Sequence, residues 1–274
     1  PDPQDKLVAD MLHLGSEHER ALPYFEADMQ RMEAAIERRR QQTRTFFDSR
    51  RDGDELRHQS LDGAHYRQVA LSLLPEHCNT ILDLGTGSGL LLPALLARAD
   101  NVIAVDASAT MLDLARASAG ADVGRCDFRL GDLEHLPVRD GEVDAVMACM
   151  VLHHVSAPAV ALAEAWRALD EGGELAIVDL ARHEDESLRE LADLWLGFQP
   201  PEMRRWLRAS GFEVEHADAV APETTDDEED EIRLITFTGR KPWQQPQPPS
   251  PRPGPKRTAG RATAAAKSAR TTTK

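Results

Sequence analysis

One glycine-rich turn constrains the fold of this chain more than any other feature. The apolar run at 80–84 predicts a buried strand, the sequence Gly-Thr-Gly-Ser-Gly follows at 85–89, and a helical pattern begins at 90. Glycines let the backbone turn tightly and approach a ligand closely because they have no Cβ. The N–H groups that open the next helix favour negative charge. This unit predicts a nucleotide-like ligand at one edge of an α/β sheet.

Strands and helices alternate through the middle of the chain. We predict strands at 80–84, 101–106, 126–130, 143–149, 174–179, 212–216 and 232–238, and helices at 63–74, 90–99, 110–119, 158–169 and 203–210. This alternation predicts a parallel sheet with helices on both faces. Because parallel crossovers are right-handed, we expect a doubly wound, mostly parallel, seven-stranded Rossmann-like α/β fold.

The sequence divides into three parts. Residues 1–60 predict a helical extension or connector, 61–241 the α/β domain, and 242–274 a disordered tail rich in proline and basic residues. A regular helix is expected to begin near Pro23. Its apolar seam is formed by Leu22, Phe25, Met29, Met32 and Ile36. This helix either forms a homodimer or folds back on its own domain.

Charge is distributed unevenly along the chain. The net charge is −15, yet residues 240–274 contain nine Lys or Arg and no Asp or Glu. The acidic body argues against a grip on nucleic acid. The tail is either a solvated extension or a weak, nonspecific nucleic-acid contact. The acidic run at 223–231 predicts a solvated loop and not a metal site, because it lacks the spacing of a calcium loop.

Apolar runs and cysteines indicate the compartment. The sequence shows no apolar run of the ~20 residues that span a bilayer, and no pattern typical of a secretory signal. The three cysteines, Cys78, Cys126 and Cys149, are widely spaced. We therefore expect no membrane association, no disulfide framework, no metal site and a cytoplasmic location.

Acidic residues at strand ends narrow the ligand class. A dinucleotide fingerprint would need glycine where Leu90 stands. Asp83 precedes the first glycine by two residues and suits a cationic amine better than a pyrophosphate. Asp106 ends the next predicted strand, 21 residues after Gly85, where a carboxylate can accept hydrogen bonds from a ribose diol. Either acid could instead cap a helix or pair with a surface arginine.

Together, these motifs resemble class I S-adenosylmethionine (SAM)-dependent methyltransferases, and among them the UbiE-like domains. The resemblance covers roughly residues 46–241. It is carried by 82–89, Asp106 with Ser108 and Met111, the segments 131–137 and 151–154, and 167–175. The Pro-Gly-Gly usual before the fifth strand is Glu-Gly-Gly at 171–173. The resemblance implies methyl transfer from SAM to a small-molecule acceptor.

The resemblance also implies a set of site residues. Asp83 and Gly85 would face the methionine part of SAM, Asp106 would hold the ribose, and Asp132 would accept from the adenine amine. Asp132 could instead form a plain Gly-Asp turn, and Met111 would either pack near the adenine ring or belong to the core. The full set of cofactor-binding residues is Asp83, Gly85, Thr86, Gly87, Gly89, Asp106, Ala107, Met111, Asp132, Leu133 and Cys149.

The residues that meet the acceptor are expected after the fourth strand. His153 or His154 could take a proton from the acceptor, or the pair could only order the loop. The resemblance implies that Cys149 and Met150 line the methyl-transfer face, and Cys149 is interpreted as a small buried side chain rather than a methyl acceptor or arsenic ligand. We expect the helix at 63–74, the loop after His154 and the segment 186–198 to roof the acceptor pocket.

A narrower resemblance suggests an alternative. The segments 38–47, 194–198 and 203–212 resemble bacterial proteins that fuse an ArsR-type winged helix to a UbiE-like domain. The stretch before Phe46 has about the length of the connecting helix alone, so no winged helix is expected here. The alternative function is a SAM-binding sensory or regulatory module that turns over little or no substrate.

Overall fold

The computed structural model describes residues 24–49, 63–220 and 233–243. The start of the predicted extension, the acidic run at 223–231 and nearly all of the predicted tail lie outside the described residues. Among the helices that the model does describe, none combines the length and apolar character needed to cross a membrane.

The described elements follow the predicted alternation. The helices are α1 Phe25–Asp48, α2 Gly63–Ser72, α3 Leu92–Leu96, α4 Ala109–Ala119, α5 Pro158–Ala168 and α6 Pro200–Ala209. The strands are β1 Cys78–Leu84, β2 Ala99–Asp106, β3 Cys126–Leu130, β4 Val143–Cys149, β5 Leu169–Leu180, β6 Glu213–Val220 and β7 Leu234–Arg240. Short 3₁₀ turns cover Gly120–Arg125, Leu152–His154 and Glu186–Leu191.

Two element lengths differ from the sequence prediction. The predicted helix at 90–99 is helical only over Leu92–Leu96, since Ala99 already pairs with Cys78 in the sheet. The fifth strand begins at Leu169 rather than 174, because Leu169 pairs with Val143 ahead of a register shift. Tertiary pairing set both boundaries, which local sequence propensity predicts poorly.

The described strands form one sheet in the order β3-β2-β1-β4-β5-β7-β6. Strands β1 to β5 pair in parallel, and β7 runs antiparallel between β5 and β6. Side chains of β1 alternate between two apolar layers, with Leu82 and Leu84 in one and Ile81 in the other. The predicted doubly wound, mostly parallel seven-stranded fold is confirmed, and its order reverses between β1 and β4, where open α/β sheets bind ligands.

Helix α1 folds back on its own domain through its C-terminal half. The Ser108 hydroxyl donates to Asp48 over 2.5 Å, and the Arg40 guanidinium donates to the Glu134 carboxylate. The N-terminal half carries the seam residues Phe25, Met29, Met32 and Ile36, and none of them is buried. The homodimer expected from that seam stays a prediction.

Candidate active site

The glycine turn after β1 forms one wall of a cavity at the carboxyl ends of the parallel strands. Gly85 and Gly87 have φ angles of +65° and +53°, in the left-handed region that favours glycine. A Cβ on Gly85 would lie 2.2 Å from Val151 Cγ2, whereas a Cβ on Gly87 would meet nothing within 4 Å. The backbone at Gly87 therefore borders open space that a ligand can fill.

Asp106, at the end of β2, supports this turn from the neighbouring strand. Its two carboxylate oxygens accept from the backbone N–H groups of Gly87 and Ser108, both over 2.9 Å. Burial raises the pKa of this carboxyl, and the backbone hydrogen bonds oppose that rise. The side chain also lines the cavity together with Ala107. Asp106 is thus held rigidly and still faces the cavity.

Asp83 supports the glycine turn from beneath and does not line the cavity. It is buried, and its carboxylate accepts from the Thr86 hydroxyl over 2.7 Å. Burial raises the pKa of Asp83 to about 6, against the hydrogen bond from Thr86, and the nearby Asp106 charge adds to the rise. The role predicted for Asp83 at the methionine part of SAM stays a prediction.

The turn after β3 supplies the opposite side of the cavity. Asp132 and Leu133 both line it. One oxygen of Asp132 accepts from the Glu134 backbone N–H over 2.9 Å. This bond is the one expected if Asp132 forms a plain Gly-Asp turn. The other oxygen lies 3.7 Å from Arg40 Nε. The carboxylate therefore forms the turn and still borders the cavity.

Helix α1 closes the cavity, which the sequence did not predict. Its cavity-lining residues are Arg40, Thr43, Arg44 and Phe47. The Arg40–Glu134 ion pair anchors this helix, and Glu134 is almost fully buried. The predicted roof is corrected accordingly: helix α2 and the segment 186–198 do not line this cavity, whereas Val155 and Ser156 after His154 do.

The two adjacent histidines occupy different environments. His153 is fully buried, and its Nδ1 lies 2.6 Å from Asp179 Oδ1. Burial lowers the pKa of His153, but the carboxylates of Asp179 and Asp193 outweigh it and leave the pKa raised. His154 lines the cavity, and its ring packs edge-on to Phe47 at 5.1 Å between centroids. Of the pair, only His154 can meet a ligand in this cavity directly.

Five predicted cofactor residues do not line the cavity: Asp83 and Thr86, which bond to each other, and Gly89, Met111 and Cys149. A Cβ on Gly89 would lie 2.8 Å from the backbone of Ala115, so this glycine permits close helix packing. Met111 is buried on α4, next to the Ser108 side chain that caps that helix. Cys149 is partly buried, desolvation raises the pKa of its thiol well above the usual value, and the neighbouring Met150 lines the cavity.

Comparison with known proteins agrees with this geometry. The model of the methyltransferase domain family matches residues 82–177. An uncharacterised methyltransferase of Mycobacterium bovis is 40% identical over 125 residues, which cover 44% of this chain and 49% of the relative. A demethylmenaquinone methyltransferase of Clavibacter sepedonicus is 30% identical over 178 residues, covering 55% of this chain and 72% of the relative. The chain belongs to the methyltransferase family.

The match to relatives is partial in length. The chain spans about half the length of the curated relatives that it matches over 125 residues. A solved phosphoethanolamine N-methyltransferase of Haemonchus contortus, in complex with phosphomonomethylethanolamine and S-adenosylhomocysteine, superimposes with a TM-score of 0.55. It is 17% identical and covers 66% of this chain and 53% of the solved one. That likeness shows the fold alone.

Several residues of the candidate site were not identified from the sequence. Arg40 and Phe47 lie in the segment that carried the narrower resemblance, but nothing in the pattern placed them on the cavity. Asp179 ends β5 and could have been found as a strand-end acid like Asp106. Asp193 lies in an irregular loop and carries no sequence signal.

Proposed function

We propose that this methyltransferase binds SAM in the described cavity and transfers its methyl group to a small-molecule acceptor. The observation that carries the proposal is the pairing of an open glycine turn with Asp106 at adjacent strand ends. The chain's membership of the methyltransferase family supports SAM as the methyl donor. The identity of the acceptor is left open.

The residues present fit SAM. A carboxylate offers about four lone-pair positions. Asp106 uses part of them on Gly87 and Ser108, so it retains capacity for ribose hydroxyls. The open space beside Gly87 leaves room for the part of SAM that would lie against the protein backbone. Leu133 provides an apolar surface on the same cavity for the adenine ring, with Asp132 beside it.

Methyl transfer asks little acid–base chemistry of the protein. SAM supplies a methyl group already activated on a sulfonium. The chain's own residues bind and orient the two reactants, and alignment of this kind can provide much of the acceleration. His154 and Phe47 line the same cavity, where we expect them to contact the acceptor. Because α1 covers one side of the cavity, the space left beside the cofactor favours a small acceptor.

Calorimetric titration of SAM and S-adenosylhomocysteine tests the proposal. We expect micromolar binding by the wild-type chain, weakened about 10- to 100-fold in Asp106→Asn, because hydrogen bonds to a charged group contribute ~1.5–3 kcal/mol. Asp113→Asn is the matched control, since Asp113 is an exposed acid on α4. No binding by folded wild-type protein, or equal weakening by both variants, would refute the cofactor site.

A turnover assay separates the enzyme from the sensory alternative. The chain is incubated with SAM carrying a labelled methyl group and a small-molecule extract, and labelled product and S-adenosylhomocysteine are measured. Product formation that is lost in Asp106→Asn supports methyl transfer. Tight SAM binding without product in any fraction would favour the sensory or regulatory module instead.

A further inference from the structure

A buried cluster behind the cavity wall contains three side chains of the kind that bind transition metals. His153, His154 and Asp193, here called the histidine cluster, each offer a donor atom, and these atoms lie within 4.8 Å of one another. The side chains of His153 and Asp193 have no solvent exposure, and that of His154 is 8% exposed. The proposed function uses only His154 of this cluster, as a cavity-lining residue, and the inference below does not depend on that function.

Asp193 is the unusual member of the cluster. Neither of its carboxylate oxygens makes a hydrogen bond within the described residues, although both atoms are buried. Burying a carboxylate without hydrogen bonds or a cation costs several kcal/mol. The nearest nitrogens to Oδ1 are His154 Nδ1 at 3.5 Å and His153 Nε2 at 3.7 Å. A positive charge beside Asp193 would therefore stabilise this carboxylate.

Asp179 determines which atom of His153 faces that carboxylate. A carboxylate can only accept, so His153 Nδ1 donates to Asp179 Oδ1 across 2.6 Å. In neutral imidazole the other nitrogen, Nε2, then presents a lone pair towards Asp193. Two acceptors facing each other need a proton or a metal ion between them. A carboxylate on the far ring nitrogen is also the usual support for a metal-binding histidine.

The distances favour a metal ion over a proton. Separations of 3.5 and 3.7 Å are too long for N–H···O hydrogen bonds. Donor atoms around a tetrahedral ion with bonds of ~2.0–2.1 Å lie about 3.3–3.4 Å apart, which is close to these values. One proton could serve only one histidine, whereas an ion can serve both. We propose that His153 Nε2, His154 Nδ1 and Asp193 bind a divalent metal ion of the zinc class.

The backbone beside Asp193 supports the same site. Ala192 has φ +68°, a left-handed conformation that alanine rarely adopts, and it immediately precedes the carboxylate. Its carbonyl oxygen lies 3.1 Å from His154 Nδ1. That nitrogen donates its proton to the carbonyl in the absence of metal, so ion binding at Nδ1 requires the ring to take its other tautomer and gives up this hydrogen bond. The single ring proton then resides on His154 Nε2, which acts as a donor at the cavity wall.

The test uses the full, untagged chain. Protein stripped with a chelator is incubated with Zn²⁺ or Co²⁺ and dialysed, and the bound metal is measured by mass spectrometry. We expect one equivalent, with Co²⁺ absorption bands of four- or five-coordinate N/O ligation. Asp193→Asn should reduce the occupancy at least tenfold. Asp218→Asn is the matched control, because Asp218 lies 3.3 Å from His216 Nδ1 in an exposed His–Asp pair, and it should retain the metal.

Two further measurements keep the outcome decisive. If Asp193→Asn does not fold, His154→Gln is used, and X-ray absorption on the metal-loaded wild type must show histidine ligands. Folded wild-type protein that retains no stoichiometric metal would overturn the proposal and assign a proton to the cluster. Equal metal loss in Asp218→Asn would also overturn it. SAM titrated into the same samples reports the cofactor site separately, so failure of one proposal is distinguishable from failure of the other.

Discussion

Two walls of the cavity contain buried carboxylates that are stabilised in different ways. The glycine wall is formed by Gly85, Gly87 and Asp106 with Asp83 beneath it, and its Asp106 carboxylate accepts hydrogen bonds from backbone N–H groups. The histidine wall, formed by His154 with His153, Asp179 and Asp193 behind it, relies on side chains from three separate segments, and Asp193 accepts no hydrogen bond among the described residues. The first wall is thus complete without a ligand, whereas the second depends on a positive charge.

The largest expected difference between the two walls is in the free energy of unfolding of their aspartate variants. Asp179 accepts from His153 and from the backbone of Leu152 and Leu180, so Asp179→Asn should cost about 4 kcal/mol by leaving a buried partner uncompensated. Asp83→Asn should change stability by less than about 1 kcal/mol, because burial already penalises that carboxylate and an amide oxygen can still accept from Thr86. Urea unfolding at pH 7.5 measures both. Comparable losses would remove the contrast between the walls.

The next largest effect on stability is expected at Gly85, where the glycine wall contacts Val151. Gly85→Ala should cost about 3 kcal/mol, because it adds left-handed strain and a Cβ 2.2 Å from Val151 Cγ2. Gly87→Ala has the same backbone strain but open space, so it should cost about 1 kcal/mol and instead weaken SAM binding. Thermal unfolding and calorimetry on both variants provide the check. A Gly87→Ala protein that binds SAM normally would place the cofactor elsewhere.

A smaller loss of stability is expected for changes in α1, the helix that lines the cavity between the two walls. Arg40→Gln removes the charged partner of the buried Glu134 carboxylate, which among the described residues keeps only the backbone N–H of Ala157, and should cost about 2 kcal/mol. It should also increase hydrogen exchange along the C-terminal half of α1. Arg38→Gln is the control, since Arg38 on the same helix bonds only to its own backbone at Ala34 within the described contacts. Unchanged exchange in Arg40→Gln would mean that other contacts hold the helix.

The smallest effect is a pH dependence on the glycine wall. Burial raises the pKa of Asp83 to about 6, so this carboxyl is charged above pH 6 and becomes neutral as the pH falls through 6. If Asp83 attracts the ammonium of SAM, SAM affinity should fall about tenfold between pH 7.5 and 5, a loss of about 1.4 kcal/mol. Asp83→Asn should flatten the profile. A wild-type profile that is flat over this range would contradict the role predicted for Asp83.

Local sequence pattern was sufficient for the glycine wall. The turn at 85–89 and Asp106 both follow apolar strands directly, and parallel strands bring their carboxyl ends to one edge. Asp132, Leu133 and His154, which the same reasoning singled out, line the cavity. Of the two residues expected on the methyl-transfer face, Met150 lines the cavity with a left-handed backbone and Cys149 does not, a difference that no local pattern predicts.

The sequence by itself determined the doubly wound sheet, the glycine turn and the position of Asp106, because each depends on residues close together in the chain. Only the tertiary structure decided that α1 closes the cavity through Arg40 and Phe47, and that Asp193 meets His153 and His154. Those contacts join segments separated by about 40 to about 110 residues. Burial and charge pairing across such separations depend on packing, which leaves no periodic trace in the sequence.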